Sequence, residues 1–129
     1  MKTSYFAKLK KIAHPIAICG WPPRFYTGPT YKALAPKKEW FFEWKKMAES
    51  GEYAQEQLEA WYIERYNTTV LSQLDPQKVW NDLCAIYPGV SPDDIHLLCY
   101  EKRGDFCHRH LAAQWLRDNG FDIREDETL

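Results

Sequence analysis

Residues Ile95–Trp115 read IHLLCYEKRGDFCHRHLAAQW. This stretch decides the fold. Ile95–Tyr100 is apolar on both faces, as a central strand of a parallel sheet must be. Glu101–Phe106 is polar and holds Gly104-Asp105, a turn signal. From near Cys107 the apolar residues Leu111, Trp115 and Leu116 recur at helical spacing. The stretch predicts strand, short loop, helix. At that junction it gathers Glu101, Cys99, Cys107, His108, His110 and Arg109. In open α/β sheets, ligands bind where strands end and helices begin.

Working back from Ile95, Pro88-Gly89 and Ser91-Pro92 mark a loop. Asp75-Pro76 is an N-cap and first-turn pair. It predicts a helix to about Ile86 that buries Val79, Trp80, Leu83 and Ile86. Glu52–Leu74 reads as a long amphipathic helix with a possible interruption at Asn67-Thr68-Thr69. Lys37–Glu49 reads as another, stopped by Ser50-Gly51. Between Gly20 and Pro36 lies a proline-rich loop carrying Trp21, Arg24, Phe25, Tyr26 and Tyr31. A loop that long is functional or disordered, and its aromatics argue against disorder.

Ile16–Cys19 is expected to be a second buried strand and Lys2–Tyr5 a first, followed by a short helix from Phe6 to about Ile12. Beyond the Cys107 helix, Asn119-Gly120 is a stop, Phe121–Arg124 a last strand and Glu125–Leu129 a frayed acidic tail. The order β-α-β-(loop)-α-α-α-β-α-β predicts one α/β domain. It has a small, mostly parallel sheet, helices on both faces and a helical insertion at about 37–87 between the second and third strands.

A chain of 129 residues buries about two thirds of its unfolded surface, enough for a real core. Its net charge of −1 gives no broad electrostatic footprint for nucleic acid or an anionic membrane. No apolar run approaches the roughly 18 residues of a membrane span. Met1–Lys11 lacks the apolar core of a secretory signal. The four cysteines at 19, 84, 99 and 107 form no CxxC pair, so reduced thiols in a cytoplasmic protein are expected. Six Trp and eight Tyr are more than one core needs, and they point to a stacking or partner surface.

The chemistry follows from residue types. A helix start at Cys107–Arg109 offers free N–H groups to an anion, and Arg109 can add a bidentate grip on phosphate. Arg109 can instead pair with Glu101 or Asp105. Glu101, at the strand's end, suits a general base or a nucleophile. Cys107 at a helix start beside His108 and Arg109 is placed for a lowered thiol pKa. The Cys-x5-Arg loop of cysteine phosphatases is missing, which disfavours that reaction. Cys99, Cys107, His108 and His110 have no regular finger spacing, so no metal is expected. No cofactor is implied.

The residues CYEKRGDFCHRHLAAQWL resemble the signature of the domain of unknown function 488 family. Its members carry a strand ending in LLC-x-E, a short loop, then CHR opening a helix. Here these are Leu97–Glu101 and Cys107–Arg109. Thr3–Lys11 is similar to the family's first strand and helix. Ile16–Pro23, the Leu34–Pro36 LAP and the tyrosines Tyr53, Tyr62 and Tyr66 ahead of LSQLDP are similar to one branch. The resemblance implies a Rossmann-like α/β sandwich with a site at the strand ends, and Cys99, Glu101, Cys107, His108 and Arg109 are its motif positions. Members commonly place an Arg just after the second strand, where this chain has Gly20. Arg24 would then have to supply that charge.

The sequence therefore predicts an enzyme acting on a nucleotide, nucleoside or nucleic acid. Glu101, Cys107 and His108 form its catalytic group. Cys99, Arg109, Trp21, Arg24 and Tyr66 contact the phosphate-bearing ligand. The alternatives are a non-catalytic nucleotide binder or protein-interaction domain using the aromatic surface, and a thiol redox sensor built on Cys99 and Cys107.

Overall fold

The computed structural model describes Met1–Leu129 throughout. Four parallel strands, β1 (Lys2–Tyr5), β2 (Pro15–Ala17), β3 (His96–Cys99) and β4 (Arg124–Glu125), stand in the order β2-β3-β1-β4. Four α-helices connect them: α1 (Lys38–Ser50), α2 (Gln55–Thr69), α3 (Pro76–Ile86) and α4 (His108–Asp118). The fold is Rossmann-like α/β, with α1–α3 inserted between β2 and β3.

β3 sits inside the sheet, paired with β1 from Lys2↔His96 to Tyr5↔Cys99 and with β2 from Pro15↔His96 to Ala17↔Leu98. Successive side chains of a strand face opposite ways. Leu97 enters a large core shared with Ile16, Tyr66, Leu83 and Leu116. Leu98 enters a smaller one with Phe6, Ile12, Ala17 and Tyr26. All four α-helices bury residues in the first core. The 3-10 helix Phe6–Lys11 covers the other face through Phe6. Helices thus lie on both faces, very unequally.

The sheet edges differ from the sequence reading for identifiable reasons. β2 starts at Pro15, a tolerated first residue on an edge strand. Its outer edge is taken by the Gly20–Pro36 loop, which folds back along it. Ala17 N–H donates to the Pro29 carbonyl at 3.0 Å, and Tyr31 N–H donates to the Ala17 carbonyl at 2.8 Å. The Tyr26 hydroxyl reaches under this turn, accepting from Ala17 N–H and donating to the Pro29 carbonyl. Gly28 is required there, because a Cβ would lie 2.6 Å from that hydroxyl.

Phe121–Arg124 is not the last strand. Gly120 (φ 91°) donates to the Arg117 carbonyl and Phe121 to the Leu116 carbonyl, both at 3.0 Å, which is a Schellman stop. Phe121 is consumed by that cap and stacks on Trp80 at 4.9 Å, so the strand begins at Arg124. The acidic tail is not frayed. Asp126 N–H donates to the Thr3 carbonyl at 2.9 Å, and the Asp126 side chain meets His96 Nε2 at 2.7 Å. α2 is also shorter than Glu52–Leu74. Thr69 Oγ1 donates to the Arg65 carbonyl at 2.6 Å, Val70 is the C-cap, and Leu71–Gln73 is a 3-10 turn. Asp75 then caps α3 by accepting from Gln77 N–H at 3.2 Å. No helix is long and apolar enough to cross a membrane.

Candidate functional site

A cavity of about 420 Å³ opens where β2 and β3 end. Its floor is Cys19 and Gly20 after β2, Cys99 at the end of β3, and Cys107 and His108 at the start of α4. Its walls are aromatic: Trp21, Phe41, Phe42, Trp44, Tyr62 and Phe106, with Tyr100 beside them. Among the lining residues, Glu101 is the only carboxylate and Lys45 the only lysine or arginine. The volume falls within the range of about 300–1,000 Å³ usual for small-molecule sites.

Each wall has a local cause. Tyr100 leaves the sheet after β3 and donates its hydroxyl to the Trp21 carbonyl, tying the two strand ends together. Trp21 and Phe42, both about half exposed, lie 5.4 Å apart across the mouth. Tyr62 is nearly buried and stands edge-on to Trp40, Trp44 and Phe106 at 5.0–5.1 Å. Its hydroxyl forms no hydrogen bond within the chain, and the residue lines the cavity. Burial holds that phenol protonated well above its ordinary value, so it is a free donor.

Arg109 is the least exposed charge in the chain, at 0 %. Its Nε and Nη2 take Glu125 as a fork at 3.1 and 2.9 Å, and Nη1 donates to the Glu101 backbone carbonyl. Burial works against the Glu125 charge, but hydrogen bonds from Arg109 and Thr3 outweigh it and hold the carboxyl below its usual range. Neither Glu101 nor Asp105 supplies the partner carboxylate. Arg109 does not line the cavity and has no fork left for phosphate. It fixes the backbone from which Glu101 projects.

At the floor, His108 Nε2 lies 2.8 Å from the Ile18 carbonyl, so in the neutral ring it carries the proton. Nδ1 is then bare, and Cys99 Sγ lies beside the ring, 3.5 Å from Nδ1 and 4.0 Å from Nε2. Ligand atoms of Cys99, Cys107 and His108 all fall within 4.8 Å of one another, and all three residues are buried. These are the residues of the site that could hold a metal. His110 stands outside the cluster, kept neutral by burial and by neighbouring Arg109.

The helix start does not activate Cys107. Burial, then the adjacent Cys99 thiol, push Cys107 well up, against the smaller opposing pull of His108. Burial also pushes Cys19 to about 11. As free groups these are inert thiols.

The structure brings together Trp21, Cys99, Glu101, Cys107 and His108 in one cavity. Three expected residues lie elsewhere. Arg109 is turned to Glu125. Arg24 is exposed on the loop and does not line the cavity, so it does not replace the charge absent at Gly20. Tyr66 is fully buried behind the floor, where its hydroxyl donates to the Leu34 carbonyl at 2.7 Å and its ring lies 5.6 Å from His108. It supports His108 from behind. Sequence reading missed Lys45, Tyr62 and Phe106 as site residues. The available signal was the aromatic run of α1, which has rings on more sides than one buried stripe can use.

A family model described as the active DUF488-N3 subclade matches residues 22–120. The chain belongs to the DUF488 family. The matched DUF488 segment covers all four α-helices, β3 and the Leu97–Arg109 signature, and begins beyond β1 and β2. No curated protein and no solved structure matches the chain.

Proposed function

We propose that the cavity binds a nucleoside or nucleotide and that Glu101 is its reactive carboxylate. The aromatic enclosure carries this reading. Stacking a base on aromatic side chains is worth about 1–3 kcal/mol per base, whatever the base. Trp21, Trp44 and Phe106 supply ring faces and edges, and the free Tyr62 hydroxyl supplies a donor. Lys45 can hold the phosphate as a point charge, in place of the Arg109 expected from the CHR motif. Glu101 stands beside the ligand on a backbone braced by Arg109. It suits a base that takes a proton from an attacking water, as in hydrolytic release of the nucleobase. Cys107 and His108 shape the floor. The four free cysteines fit a reducing, cytoplasmic setting.

The test is a thermal-shift screen of nucleosides and nucleotides, followed by Glu101→Gln. Saturation at a hundredfold Kd stabilises by about 2.7 kcal/mol. The expected result is a stabilising ligand whose nucleobase the wild type releases, with Glu101→Gln binding but not turning it over. A ligand bound without turnover by either protein makes the domain a nucleotide binder. No stabilising ligand in the panel overturns both readings.

A further inference from the structure

We infer that Cys99, Cys107 and His108 form a tetrahedral site for a thiophilic divalent cation of the zinc class, with its fourth position open to the cavity. Three observations meet here. Two buried thiols and one imidazole place their ligand atoms within 4.8 Å of one another. With Zn–S near 2.3 Å and Zn–N near 2.0–2.1 Å, a tetrahedral S–N edge is about 3.6 Å. Cys99 Sγ and His108 Nδ1 are 3.5 Å apart.

The ring is tethered as a metal-binding histidine usually is. Its distal Nε2–H is fixed on a backbone carbonyl, Ile18 at 2.8 Å, which leaves Nδ1 unprotonated. Cys99 Sγ lies beside the ring, 3.5 Å from Nδ1 and 4.0 Å from Nε2, so a turn of the imidazole about its χ2 brings that lone pair onto a cation shared with the thiols. Finally, all three residues line the cavity, so an ion has access and the remaining vertex faces solvent or ligand. Three protein ligands with an open fourth position are the pattern of a catalytic zinc site, whereas structural sites are closed.

Sequence spacing hid this site. His108 adjoins Cys107 along the chain, and adjacent helical residues do not share a face. Cys107, however, is the extended N-cap (φ −157°, ψ 145°), so helical spacing does not govern the pair. On binding, the cation displaces one proton from each thiol, and these two protons leave to solvent. The site stands on its own residues and is independent of the nucleotide reading.

The experiment titrates the reduced full chain with Zn(II) and with Co(II). It reads bound metal per chain, protons released and the cobalt–thiolate charge-transfer band. One metal per chain, a thiolate band and about two protons per metal are expected. Cys107→Ser and Cys99→Ser should each weaken binding at least tenfold, and Cys84→Ser, on α3, should leave it unchanged. Wild-type protein that retains no metal and shows no thiolate band overturns the proposal, however the variants fold. So does a Cys99–Cys107 disulfide that forms in air, detected by intact mass, in protein that takes up no metal when reduced. A failed nucleotide screen leaves these readouts intact, and a failed titration leaves that screen intact.

Discussion

Arg109 shows what a motif residue does when its charge is buried. Removing a guanidinium from water costs several kcal/mol, and a fork–fork carboxylate with a further acceptor offsets that cost. Glu125 and the Glu101 carbonyl fill those roles. Arg109→Ala leaves Glu125 half-buried and unpaired. A stability loss of about 3–5 kcal/mol is expected, read as a lower urea midpoint. Arg109→Lys keeps the charge but not the planar fork, so it should recover only part of the loss. An alanine variant within about 1 kcal/mol of wild type would remove Arg109 as the brace of the Glu101 loop. The importance of Arg109 was legible from CHR at a helix start. Its partner was not, because Glu125 lies 16 residues on, in a segment whose composition reads as a solvated tail.

At the scale of elements, patterns that are local in sequence were readable. The capped α3, the α4 start and the buried β3 were all visible in chemistry within a few residues. The sheet's far edge was not, because β4 exists only through parallel pairing with β1, at Lys2↔Arg124 and Thr3↔Glu125. That edge also gives the fold a pH dependence. Burial pushes the Asp126 carboxyl up, but hydrogen bonds from His96 and Thr128 more than offset it and hold it at about 2, below the ordinary 3.8. A carboxyl with a depressed folded-state pKa binds fewer protons folded than unfolded near pH 3. Its contribution is therefore fully present above the ordinary value and is lost as pH falls towards about 2. Urea titrations across pH 2–5 should show stability falling over that window, and Asp126→Asn should flatten the slope. A slope unchanged in Asp126→Asn would mean that other carboxylates carry the acid sensitivity.

Across the whole molecule, the cavity exists because the α1–α2 insertion is held against the sheet's β2–β3 end by aromatic rings. The aromatic excess was legible as a surface in search of a ligand or partner. Its assignment to one enclosure was not, since it needs Trp21, Tyr62 and Phe106, which are far apart in sequence. Tyr62 joins these parts and separates their two roles. Its ring bridges α1, α2 and the loop before α4 through Trp40, Trp44 and Phe106, while its hydroxyl serves nothing inside the chain. Tyr62→Ala should lose about 3–5 kcal/mol, because it opens a void at the junction of three segments. Tyr62→Phe keeps the ring and leaves no buried partner unsatisfied, so its urea midpoint should match wild type within about 0.5 kcal/mol. If the hydroxyl donates to a bound nucleoside or nucleotide, Tyr62→Phe should still weaken that ligand by about 0.5–1.5 kcal/mol, read by isothermal titration with the compound that stabilises wild type best. A phenylalanine variant that binds as tightly as wild type would make Tyr62 a packing residue only. One that lost stability as alanine does would show that the hydroxyl has a partner within the fold.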